Sequence, residues 1–132
     1  MFKLTKKIEY ALIALQYMQI NKRKNVSSAK KIAEHYDLPL SLLAKILQQL
    51  AKHKIVQPVQ GPNGGYRIIN PLDKIMLKDL VELIERPIDI VDCLKEPDCS
   101  HIGNCNIQMP IERINAKINK LFSTMTVADI TN

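Results

Sequence analysis

Gly61-Pro62-Asn63-Gly64-Gly65 constrains the fold more than any other stretch of this chain. Residues of this kind accept tight turns and positive φ. Ile55-Val-Gln-Pro-Val-Gln60 stands before it and Tyr66-Arg-Ile-Ile69 after it, so the pattern predicts a two-stranded hairpin. Upstream the pattern is helical. Ser27 or Ser28 caps a short helix running to about Tyr36, with Ile32 and Ala33 facing inward. Asp37-Leu38-Pro39 makes a turn, and proline suits the first turn of the helix that follows. That helix, over 39–53, carries Leu40, Leu43, Ile46, Leu47 and Leu50 on one side and Ser41, Lys45, Gln48, Gln49 and Lys52 on the other. Two short helices joined by a tight turn and followed at once by a hairpin predict a winged helix-turn-helix in a mainly α chain. The glycines would let the hairpin backbone approach a phosphate or a minor groove.

Charge supports that reading. Residues 1–72 hold 12 Lys and Arg against 3 Asp and Glu; residues 73–132 hold 7 against 10, within a net charge of +6. A basic half joined to an acidic half suggests a polyanion-binding module, 1–72, followed by a region of different purpose, 73–132. An amphipathic helix over 4–20 leads the chain, with Leu4, Ile8, Ala11, Leu12 and Leu15 at helical spacing and Thr5 as its cap. Lys3, Lys6 and Lys7 crowd its first turn, where the helix dipole disfavours cations, which points to an anionic partner such as phosphate. No apolar run approaches the ~18 residues of a membrane span, and the N-terminus is not a secretory leader. A cytoplasmic protein with reduced thiols is expected, and the odd number of cysteines argues against a disulfide framework.

After a short helix over 77–85, ended by Arg86-Pro87, comes the second distinctive stretch. Cys93, Cys99 and Cys105 are the only cysteines, and five residues separate each from the next. The residues between them are mostly turn-forming and polar, whereas a cysteine kept for packing sits among apolar neighbours. Three thiolates from one short loop can grip a soft metal centre, and an iron–sulfur cluster is the expected occupant. The last helix, opened by Pro110, spaces Ile111, Ile114, Ile118, Leu121 and Met125 as a heptad seam and is expected to form a homodimer. Thr126 and Asp129 have capping-box spacing for one final turn.

Leu4-Thr5-Lys6, Glu9-Tyr10-Ala11, the wing Gly61-Pro-Asn-Gly-Gly-Tyr66 and the evenly spaced cysteines together resemble the Rrf-two family of winged-helix regulators over nearly the whole chain. The resemblance implies a homodimeric repressor of double-stranded operator DNA. It would sense cluster status, nitric oxide or redox through a two-iron or four-iron cluster on Cys93, Cys99 and Cys105. One branch of the family has a histidine ligand three residues past the third cysteine, where this chain has Gln108. Another uses a carboxylate on the first helix of the other subunit, which corresponds to Glu9; His101 is a second candidate for the fourth ligand. The DNA-contact set implied is Lys3, Thr5, Lys6, Ser28, Ser41, Lys45, Gln48 and Gln49, with Gly61, Pro62, Asn63, Gly64, Gly65 and Tyr66 at the wing. Ala44 and Gln60 replace a glutamate and an arginine found in the family, so base preference should differ.

Other readings of the same residues are a zinc-bound regulator and a metal-free thiol sensor. Five-residue gaps do not suit the short spacings of zinc knuckles, and a fourth ligand is wanting; thiol oxidation needs no metal. No Ser/His/Asp set, phosphate loop or paired carboxylates appear, so neither an enzyme nor a small-molecule substrate is expected.

Overall fold

The computed structural model describes residues 4–21, 26–85 and 103–131. Lys3, Cys93, Cys99 and His101 therefore lie outside the described residues. The elements run in the order α1 (Lys6–Ile20), α2 (Ala29–Tyr36), α3 (Leu40–Lys52), β1 (Val56–Val59), β2 (Gly65–Ile68), a 3-10 turn (Leu72–Lys74), α4 (Leu77–Ile84), α5 (Gln108–Thr124) and α6 (Ala128–Thr131).

Local chemistry sets the helix ends. Thr5 is extended and its Oγ1 accepts from Ile8 N at 3.4 Å, which satisfies one orphan amide of α1. Ser28 does the same for α2, accepting from Lys31 N at 3.1 Å. Asp37 ends α2 in the left-handed region, which a short polar side chain tolerates. Pro39 opens α3 without a side-chain cap. At its far end Ile55 N reaches Leu50 O and Lys54 N reaches Ala51 O, a Schellman closure with Lys54 at positive φ. Leu40, expected inside, is exposed; Leu43, Ile46, Leu47 and Leu50 form the buried stripe.

β1 and β2 pair antiparallel in the register Val56↔Ile68, Gln57↔Arg67, Pro58↔Tyr66 and Val59↔Gly65. Ser27 adds a rung on the other side of β2, exchanging both backbone hydrogen bonds with Tyr66 at 2.8 Å. Tyr66 therefore turns its amide and carbonyl away from Pro58, and the proline's missing N–H costs the ladder nothing.

One core spans both halves of the sequence. Ile8, Ala11 and Leu15 of α1 and Leu43 to Leu50 of α3 share a cluster with Leu72, Ile75, Leu80, Val81, Ile84 and Val127. The change of charge near residue 72 therefore does not coincide with a break in packing. The end of the chain is tied in by backbone: Leu77 N donates to Met125 O and Val127 N to Ile75 O, both at 2.8 Å. The expected capping box closes α6, with Thr126 N to Asp129 Oδ2 at 2.8 Å and Asp129 N to Thr126 Oγ1 at 3.2 Å. Among the described residues no helix is long and apolar enough to cross a membrane.

α5 departs from expectation. It begins at Gln108, so Pro110 lies within the first turn, where no intrahelical amide bond is lost. Its seam divides between two surroundings. Ile118 and Met125, with Phe122, pack against the chain's own core. Ile114 and Leu121 stay 47% and 54% exposed.

Candidate nucleic-acid interface and cysteine loop

Ser41, Lys45 and Gln48 recur on one side of α3, and all three are exposed, as is Lys52 one turn further on. A helix backed by a continuous leucine and isoleucine stripe can present such a row to a major groove without rearranging. Gln49, expected in the same set, differs from these three in its surroundings. It is half-buried, and its Nε2 donates to the backbone carbonyl of Leu83 at 2.7 Å. It sits at the edge of the leucine-rich side of α3, turned toward α4.

At the wing, Gly61, Pro62 and Asn63 form the exposed tip, closed by Gly64 N to Gly61 O at 2.9 Å. The two following glycines have an internal cause. A Cβ on Gly64 would collide with the Val59 carbonyl, and one on Gly65 would lie 2.5 Å from the Ser27 carbonyl oxygen. Gly65 thus lets β2 close on Ser27, just ahead of the Ser28 cap, which fixes the wing against the N-terminus of α2. Tyr66 is held by the same pairing, and its side chain packs partly against the core. For Gly64, Gly65 and Tyr66 the fold supplies a sufficient physical reason without DNA.

The start of α1 adds exposed Thr5, Lys6 and Lys7. Thr5 Oγ1 donates to Glu85 Oε1 at 2.9 Å, which joins α1 to the end of α4. Lys6 Nζ lies 3.0 Å from Glu9 Oε2. Hydrogen bonding to Glu9, then its charge, raises the Lys6 pKa above the ordinary lysine value. Glu9 itself is half-exposed.

Of the expected cluster ligands, Cys105 and Glu9 are among the described residues. Cys105 is a half-buried free thiol three positions ahead of α5. Gln108 Nε2 donates to Glu112 Oε1 at 3.2 Å within α5. Among the described residues no three His, Cys, Asp or Glu groups converge on a metal position. Cys105 is free and partly accessible, and a thiolate is the kind of donor an iron–sulfur cluster takes.

Sequence reasoning read Ser27 only as a possible cap and gave no role to Leu83 or Glu85. Their partners are Tyr66, Gln49 and Thr5, and the last two pairs lie 34 and 80 positions apart in the chain. One local signal was present for Leu83. The helix continuing past it would need an amide at residue 87, which is proline and has none.

Exposed polar side chains on a core-backed helix, a wing locked beside it and a basic first helix define a winged-helix DNA-binding regulator. The sequence model of one family matches residues 4–132 and is described as an iron-dependent transcriptional regulator. The chain belongs to this family, Rrf2 (Rrf-two). A protein of Aquifex aeolicus that bears the name of an HTH-type transcriptional regulator is 32% identical over 128 residues, covering 95% of this chain and 88% of that one. The regulator IscR of Sodalis glossinidius is 24% identical over 98% of this chain and 79% of its own length. Among solved structures, CymR, the global cysteine regulator of B. subtilis, superposes with a TM-score of 0.77 at 24% identity, over 99% of this chain and 97% of that one. T. potens IscR gives 0.74 at 21%, over 98% and 85%. These are transcriptional regulators, not enzymes, and the winged fold with a long C-terminal helix is theirs as well.

Proposed function

We propose that this regulator is a homodimeric repressor whose grip on operator DNA is set by an iron–sulfur cluster in its three-cysteine loop. The observation that carries the reading is the polar, evenly spaced loop of Cys93, Cys99 and Cys105 in a chain matched end to end by a family described as iron-dependent. The thiols of these three residues would hold the cluster, and Glu9 of the partner subunit would complete its ligand set. When bound, the cluster supplies a centre that nitric oxide, oxygen or iron shortage can remove. Glu9 is available for the role at small cost, because the bond to Lys6 that it would give up is a surface pair of little energy. Cys105 stands beside the start of α5, so its engagement bears on the helix that carries the dimer seam. Ser41, Lys45 and Gln48 would meet base edges or phosphates, with the wing tip at Asn63 on the flanking groove.

Absorption spectroscopy tests this directly. Protein purified without oxygen should be coloured and contain iron and acid-labile sulfide. Colourless protein with stoichiometric zinc overturns the cluster. Colourless, metal-free protein whose thiols respond reversibly to peroxide identifies a thiol sensor built on the same cysteines.

A further inference from the structure

The end of α4 is bonded to both α3 and α1, and the cysteine stretch follows it in the sequence. Leu83 is one residue from the end of the helix, so its carbonyl is among those that lack an intrahelical partner. The amide that would normally follow four positions on belongs to Pro87 and does not exist. Gln49 supplies the missing donor, at 2.7 Å, from the last turn of the recognition helix. Two positions further on, Glu85 accepts from the Thr5 hydroxyl at the start of α1. Cys93 follows Glu85 by eight positions.

We infer that Gln49 is a positioning residue, which ties the recognition helix to the end of α4 so that a change in the cysteine loop is felt at Ser41, Lys45 and Gln48. Three observations support it. The bond joins a side chain to a backbone carbonyl, so a shift of the α4 end moves the acceptor itself. It is half-buried, where breaking it leaves an unpaired amide and an unpaired carbonyl. And Gln49 is flanked on α3 by Gln48 and Leu50, one on the exposed row and one in the core, so rotation of the helix about this point changes the angle of the whole row. The Thr5–Glu85 bond is the second tie, on the surface and weaker. The inference rests on the loop being the sensing element, not on what the loop binds.

The test is a coupling measurement. A duplex selected from a random library by the wild-type protein serves as probe, and binding is read by fluorescence anisotropy. The loop is altered in two ways: by ferrous iron plus sulfide without oxygen, and by N-ethylmaleimide on the thiols. In the wild type each treatment should change affinity by about fivefold or more, the lower end of ordinary allosteric coupling. Gln49→Met keeps length and helix propensity but removes the donor, and should cut that ratio to within about twofold. Gln49→Lys restores a donor and should restore the ratio. A ratio in Gln49→Met equal to the wild type, or a wild-type ratio near one under both treatments, overturns the inference. Iron that gives no coloured species, together with a maleimide ratio lost in Gln49→Met, leaves the inference standing and removes the cluster. Amide exchange on the wild type asks the same without a variant. Maleimide must alter protection in α3 around Gln49, and a change confined to α4 overturns the inference.

Discussion

Under the proposed function Glu9 would serve two purposes, as a surface partner of Lys6 and as a ligand. Its bond to Lys6 is solvent-exposed and contributes little to folding, so Glu9→Ala should leave the urea unfolding midpoint essentially unchanged. The same substitution should leave a labile cluster, judged by loss of colour in air; a spectrum as durable as the wild type's counts against Glu9 as ligand. The pair also fixes a pH dependence. Lys6 has a folded pKa above the ordinary 10.5, so the stabilisation it confers is complete below 10.5 and is lost as pH rises through the higher folded value. Between pH 6 and 9 it should be flat. Nitrogen-detected NMR titration of the Lys6 ammonium would show this. A midpoint at or below that of Lys6 in Glu9→Gln would contradict it.

At the scale of elements, the wing is held by a backbone contact rather than by its turn. Gly65→Ala places a methyl against the Ser27 carbonyl, which sits in the rung that joins β2 to the N-terminus of α2. Overpacking of this kind costs about 1–3 kcal/mol. Urea unfolding should show the loss as a lower midpoint at constant slope, and an unchanged midpoint would mean the wing can move off Ser27 freely. What was legible in the sequence follows the same line. Thr5, Ser28 and the Thr126–Asp129 box were readable because a cap acts across three positions. The row Ser41, Lys45, Gln48 was readable because periodicity is local too. The half-burial of Gln49 was not readable, because periodicity separates inside from outside but does not say which neighbour lies beyond the edge of the stripe. The reach from Gln49 to Leu83 is a property of packing. So is the glycine pair, whose composition suggested DNA while its immediate cause is the chain's own backbone.

The whole molecule raises the question of what α5 does with two apolar rows. Ile111, Ile118 and Met125 form one row at heptad spacing; Ile107, Ile114 and Leu121 form the other. Ile118 and Met125 are engaged with the core, while every member of the second row is roughly half-exposed or more. A single chain has already used the first row to seat the helix, through Met125 and the backbone bonds at Leu77 and Val127. The second row is left for the homodimer of the proposed function, because a two-fold axis brings identical rows together. Leu121→Lys should therefore convert two-chain particles to single chains in sedimentation while the helical circular dichroism is retained. Phe122→Ala, one position on, should instead lower stability by about 2 kcal/mol, less than the loss expected for a fully buried phenylalanine, and leave the association state alone. Single chains should also bind the selected duplex far more weakly, since two linked modules on adjacent half-sites gain from effective concentration. A Leu121→Lys protein that still sediments as two chains would move the dimer interface off this row of α5.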